Sequence, residues 1–339
     1  MGARTTTPCP VPAPEGGARP LERGFALLIV LWIFIVLFAL GAEFAQGMRQ
    51  DATSTLNFAD ETQSYYLATA AANLTFFQAL RARDDATLGL SQSETDSNTE
   101  PVIRPDGRWQ QQVLWGAPVS VRVTDEGGKL PVNRMDETML TQVMTNLGVP
   151  PDPAAEVVDG ILDWRDADDD HRLHGAESDY YLSLPKPYAA KNAPLDSLEE
   201  LLMIKGITPE LYYGRNDAFP IGLVDIFSVF NEKRQLNVRT APPEVLQVFF
   251  ALDSDELAQI LDTRENSAPA LIAVLEAKMP TPFLSFIDGP PTVLNVEVQA
   301  QLPGSRVKSH MGAVIDVGES AEGVRVKRWM DRLAVVDVS

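Results

Sequence analysis

Cysteine is almost missing: the 339 residues hold one, Cys9. A disulfide within the chain is excluded in any compartment, so the loops must be braced another way. Histidine is nearly as scarce, with three in all. His171 and His174 form an H-x-x-H pair, but no cysteine and no third histidine lies near them, so a zinc site lacks ligands. Basic residues are outnumbered, 28 Lys and Arg against 47 Asp and Glu, for a formal net charge of −19. Binding along a nucleic-acid backbone needs a basic face, and this balance argues against it. No G-x-S-x-G, H-E-x-x-H or P-loop motif occurs, and the densest acids lie in one very polar run. Ordinary exposed acids are expected there, not the split pair that acid–base catalysis uses, so the chain reads as a non-enzyme.

Proline is absent from Phe25 to Leu90. Within that stretch, FALLIVLWIFIVLFALGA (25–42) carries no charge. At 1.5 Å per residue it makes a helix of roughly 27 Å, close to the hydrocarbon thickness of roughly 30 Å. Arg19 and Arg23 precede it, Glu43 follows it, and the positive-inside rule places the N-terminus in the cytoplasm. Three readings fit: a cleaved export signal with Ala39-Leu40-Gly41-Ala42 at its end, a plain single-pass anchor, or a third suggested by the junction Arg23-Gly24-Phe25, which resembles a prepilin class III signal, a resemblance that implies a cut after Gly24 with the apolar helix retained. Past Glu43 the chain stays helical in character to about Arg83, with Leu67, Ala70, Leu74 and Phe77 at three- and four-residue steps. Such a helix would be roughly 90 Å long, half in lipid and half packed on a folded head.

The rest divides by pattern. A polar loop is expected over 84–108. Two short strands follow, with Val119, Val121 and Val123 alternating and turns at Gly116-Ala117-Pro118 and Glu126-Gly127-Gly128. Three more strands are expected in TVLNVEVQAQL, SRVKSHMGAVIDVG and EGVRVKRWMDRL. Between these groups helices are expected over 136–147, 153–163, 198–204, 242–251, 255–264 and 271–277. The fold class is therefore α+β: a long N-terminal helix on a small antiparallel sheet with a large helical insertion. The expected divisions are a leader at 1–24, the membrane half of the stem at 25–45, stem and first strands at 46–130, the inserted domain at 131–289, and closing strands at 290–339.

Within DWRDADDDHRLHGAESDYY (163–181), seven carboxylates fall in seventeen residues. Like charges this dense repel unless solvated or bridged by a cation. Asp166, Asp168 and Asp170 alternate, Gly175 permits a turn, and Glu177 and Asp179 return to the site. Calcium, which takes six to eight oxygens, suits such a loop, although the spacing is not that of an EF-hand; a solvated acidic loop is the alternative. Two segments have the form of helix–hairpin–helix units, one turning at Lys205-Gly206-Ile207 and one at Ala251-Leu252-Asp253, where the glycine is lost. A hairpin that grips phosphate uses glycine for close approach, so acidic surroundings and the missing glycine favour a packing role.

Together these segments resemble the general secretion pathway protein K family, the minor pseudopilin K of type II secretion systems. The resemblance rests on Arg23-Gly24-Phe25 and its apolar run, on Asp163-Trp164 through Gly175-Ala176-Glu177 and Asp179-Tyr180-Tyr181, on Pro194-Leu195 to Gly206-Ile207, on Leu236-Asn237-Val238-Arg239-Thr240-Ala241 with Pro243-Glu244-Val245-Leu246, and on Val326-Lys327-Arg328-Trp329. It implies that prepilin peptidase cuts after Gly24 and that the new Phe25 amine is methylated. It implies an inner-membrane anchor with a periplasmic domain, structural calcium at the acidic loop, and a place at the pseudopilus tip with pseudopilins I and J. Pilins generally carry glutamate at the fifth residue after the cut, to pair with the amine of the subunit ahead. Here that residue is Ile29, as suits a subunit with nothing ahead of it. A membrane-tethered DNA receptor of the competence type and a minor pilin of a type IV pilus are the alternative readings.

Overall fold

A computed structural model describes residues 21–87, 104–278, 284–318 and 323–333. Leader residues 1–20, most of the expected loop (88–103) and most of the expected turn at 319–323 lie outside the described residues. The chain falls into two units, Met1–Ala59 and Asp60–Ser339. The described part of the first is a stretch of one helix, α1 (Leu21–Thr87), whose remainder opens the second unit. The helix starts four residues before the expected Phe25 and ends four after Arg83. Leu21, Glu22 and Arg23 are good helix formers, and one glycine costs too little to stop them. Every large apolar side chain from Phe25 to Phe38 is exposed. By length and composition, the helix from Phe25 is able to cross a membrane.

In the second unit, β1 (Asp106–Leu114) and β2 (Ala117–Asp125) form a hairpin turning at Trp115 and Gly116, both at positive φ. Next come β3 (Leu130–Pro131), α2 (Glu137–Asn146), α3 (Pro151–Arg165), α4 (Ser178–Leu182), α5 (Pro209–Tyr213) and α6 (Leu223–Ile226). They are followed by β4 (Phe227–Ser228), β5 (Gln235–Asn237), α7 (Pro243–Phe250), α8 (Ser254–Asn266), α9 (Ala268–Lys278) and β6 (Ser285–Ile287). Three strands close the chain: β7 (Val293–Gln301), β8 (Lys308–Asp316) and β9 (Arg325–Met330).

The main sheet is antiparallel with order β1-β2-β7-β8-β9. Period-two alternation explains its inner face: Val119, Val121 and Val123 lie beside Leu294, Val296 and Val298, then Met311, Ala313 and Ile315, all buried. The α1 face that completes this core is Leu67, Ala68, Ala71, Ala72 and Phe76, with Ser64 and Thr75 also buried. The expected stripe was off: it shares only Leu67 with this face, and Phe77 is 54% exposed. Three alanines, Ala68, Ala71 and Ala72, let helix and sheet approach closely, so bulk does not mark the buried side. Ser64 Oγ meets Ser309 Oγ at 2.7 Å, and Arg83 Nη1 donates to the carbonyls of Val317 and Gly318.

Among the described residues, the elements between β2 and β7 pack around a second core. Met139, Leu140, Val143 and Met144 of α2 share it with Val157, Val158 and Ile161 of α3. The expected helices are present with small end shifts, except that Leu198–Met203 is a 3-10 helix. Two parallel pairs, β3–β4 and β5–β6, were not anticipated. Asp125, 1% exposed at the end of β2, fastens the insertion to the sheet. It accepts hydrogen bonds from Gly127 N (2.8 Å), Asn237 Nδ2 (2.9 Å) and Thr240 Oγ1 (2.6 Å). Burial raises its pKa despite those bonds.

Candidate functional site: an acidic loop with buried, unpaired oxygens

The acidic loop begins where α3 stops. The helix holds through Arg165, whose Nη2 donates to Met135 O at 2.8 Å, and Asp166 follows with extended backbone. Asp163, still on α3, is fully buried. It accepts from the backbone N (3.0 Å) and Nη1 (2.6 Å) of Arg172, which also reaches Asp166 Oδ2 at 2.7 Å. A buried carboxylate this well paired is an internal anchor, because each oxygen has its donor. The chain then turns at Gly175, where an added Cβ would lie 1.9 Å from Asp163 Oδ2.

Of the residues expected to hold a cation, the fold brings three together. One carboxylate oxygen from each of Asp166, Asp168 and Glu177 lies within 4.8 Å of the others. Glu177 is 2% exposed, and neither Oε atom has a hydrogen-bond partner. It occupies the N-cap position of α4 without capping it, so its charge is spent on neither helix nor solvent. Asp166 Oδ1 is likewise buried and unpartnered. Burial, then the charges of Asp163, Asp166, Asp169 and Asp168, push the Glu177 pKa up to about 7. Asp170 and Asp179 are outside the group. The Asp170 backbone N folds back onto Asp168 Oδ1 (3.0 Å), and the Asp179 carboxylate accepts from Tyr180 N (2.7 Å).

Asn192 had no signal in the sequence. It sits at φ +50, and its Nδ2 donates to Asp168 O (2.8 Å) and Asp169 Oδ1 (3.0 Å). Its Oδ1 is buried without a donor. The neighbourhood thus offers oxygens only, several of them lacking protons to accept. That donor set suits a hard cation such as calcium and not zinc. The two histidines do not supply a soft site: His174 Nδ1 pairs with Asp159 Oδ2 at 3.2 Å, and His171 is exposed. Behind the loop, Trp164 and Tyr181 meet edge to face at 5.2 Å, with Tyr188 stacked on Tyr181.

The first hairpin packs against α3, beside this loop. Gly206 has φ +85, and a Cβ there would lie 3.0 Å from Glu156 Cγ and 3.2 Å from Val157 N. Lys205 Nζ donates to the carbonyls of His174 and Gly175 and pairs with Glu156 at 3.3 Å. Both hairpin residues that a phosphate would need are engaged inside the protein. In the second hairpin, Ala251 takes the left-handed turn position at φ +53.

Residues 122–214, which include the whole acidic loop, match the family profile described as type II secretion system (T2SS), protein K. The type II secretion system protein K of Klebsiella pneumoniae is 24% identical over 256 residues, 70% of this chain and 72% of that protein. The protein K of Aeromonas hydrophila is 25% identical over 294 residues, 81% of this chain and 86% of that one. Among solved structures, the GspK-GspI-GspJ complex from the enterotoxigenic Escherichia coli Type 2 Secretion System holds a chain of the same fold. It has a TM-score of 0.54 and 16% identity, and covers 78% of this chain and 95% of that one. The matched segment, the run of relatives and the shared fold agree in making this chain similar to the type II secretion system protein K family.

Proposed function

We propose that this protein is the minor pseudopilin K that caps the pseudopilus of a type II secretion system, starting its assembly for protein export across the outer membrane. The observation that carries this reading is the large second core inserted between β2 and β7 of a sheet packed on α1. A subunit of this kind enters the assembly through its apolar helix and brings a bulky body that leaves no room for another subunit above. Pseudopilins I and J are its partners, a reading supported by the similar chain solved in a GspK-GspI-GspJ complex. The apolar helix is the single inner-membrane anchor, with residues 1–24 cytoplasmic and the sheet and insertion periplasmic. Prepilin peptidase cuts between Gly24 and Phe25, and Phe25 is then methylated. The competence-type DNA receptor is not favoured, since Lys205 and Gly206 are both occupied internally.

Calcium fits the acidic loop. Asp166, Asp168 and Glu177 would hold it, and the buried, unpaired oxygens of Glu177 and Asp166 Oδ1 are the observation in its favour. Bound there, the ion supplies positive charge that offsets three crowded carboxylates and ties α3 to α4. The chain's own part is to keep Asp166 Oδ1 and both Glu177 oxygens free of donors and to exclude water around Glu177.

Co-expression of the full chain with pseudopilins I and J of the same secretion system tests the assignment. A complex of all three should co-purify from detergent, and deletion of this chain should stop export of secreted proteins. Normal export without it, or no association with I and J, would overturn the reading.

A further inference from the structure

We infer that Arg172 is the positioning residue of the cation site: it holds Asp166 by its outer oxygen so that the inner one is presented to the ion. This inference rests on the calcium reading above. The guanidinium Nη1 bridges two carboxylates, 2.6 Å from Asp163 Oδ1 and 2.7 Å from Asp166 Oδ2. That leaves Asp166 with a single free oxygen, Oδ1, which is buried and has no donor. A ligating carboxylate whose second oxygen is hydrogen-bonded is fixed in direction, and loss of such a partner typically weakens metal binding by about 10- to 100-fold.

Arginine beside a cation site also repels the cation, so the sign of its effect must be decided. Asp163 decides it. Its carboxylate is fully buried, accepts from both the backbone N and Nη1 of Arg172, and is pressed by Gly175 from the other side. One full negative charge therefore stays on the guanidinium whether or not an ion binds, and Arg172 faces the site nearly neutralised. What remains is orientation, and Arg172 favours binding.

The test is calorimetric titration of Ca2+ into the detergent-solubilised full chain after chelator treatment, beside Arg172→Gln and Arg172→Lys. The glutamine variant is expected to bind Ca2+ about 10-fold more weakly or worse. The lysine variant should stay within about threefold of wild type, because one cationic nitrogen is enough to bridge Asp163 and Asp166. Melting temperatures in chelator separate this from a merely structural role, which would lower the metal-free melt and leave Ca2+ affinity alone. Unchanged or tighter binding by Arg172→Gln overturns the inference while the cation site stands. Failure of the wild type to bind Ca2+ overturns both. If Arg172→Gln does not fold, Arg172→Met keeps the aliphatic stem and is judged by the same loss of affinity.

Discussion

Gly175 shows how little slack surrounds the acidic loop. Asp163 cannot yield to a methyl group there, because Arg172 holds both of its oxygens. Gly175→Ala should therefore cost about 1–3 kcal/mol in a denaturant melt and weaken Ca2+ binding with it. A neutral substitution would mean that the loop is looser than its geometry. Of the five residues expected at the cation site, the grouping of three was legible, because alternating aspartates and a glutamate after a glycine turn suffice to bring Asp166, Asp168 and Glu177 near one another. The alternation does not continue to Asp170, where the backbone turns back on Asp168. Asn192 was invisible because it arrives from a distant loop.

Charge on the sheet's other face supplies a pH test at the same scale. Glu297 is pushed up by burial, but the His310 hydrogen bond and the Arg122 guanidinium, 2.7 Å away, outweigh this and hold its pKa below the usual 4.5. A depressed carboxylate stabilises the fold above its unfolded pKa, and that contribution is lost as pH falls through the folded one. The wild-type melting temperature should drop below about pH 4.5. Glu297→Gln should be less stable near neutrality and show a shallower acid limb; identical limbs would remove Glu297 from the account.

At the scale of elements, α1 runs without a break through the Gly24–Phe25 junction. Under the proposed leader assignment, the peptidase would work on a chain inclined to be helical there. Replacing Gly24 by leucine should leave the precursor at full length on a gel, and mass analysis of the N-terminus should find no methylated Phe25. Normal processing would refute the leader assignment. Long elements were the legible ones, since α2, α3, α7 and the five main strands each show several turns or alternations of pattern. The pairs β3–β4 and β5–β6 were not legible, because strands of two or three residues carry no period. The stripe on α1 failed for another reason: alanines pack closest but stand out least. Leu140→Ala on α2, at a fully buried site, should cost about 2–5 kcal/mol. A loss under about 1 kcal/mol would mean that the second core closes over the gap.

At the scale of the molecule, a chain of net charge −19 with its single cysteine at position 9 has no covalent brace for its sheet or insertion. Calcium is the proposed substitute. An ion bound only by the folded state adds about 2.7 kcal/mol at a hundredfold excess over its Kd. Chelation should therefore lower the melting temperature by several degrees, and added Ca2+ should restore it. A melt indifferent to chelator would count against the site.

The strands that flank the insertion are neighbours, and Asp125 lies opposite Leu294. The chain leaves the sheet and returns to it at almost one point, as at the neck of a hairpin. That geometry makes the intervening body a cassette: its length and content can change while the ladder between β2 and β7 keeps its pairing.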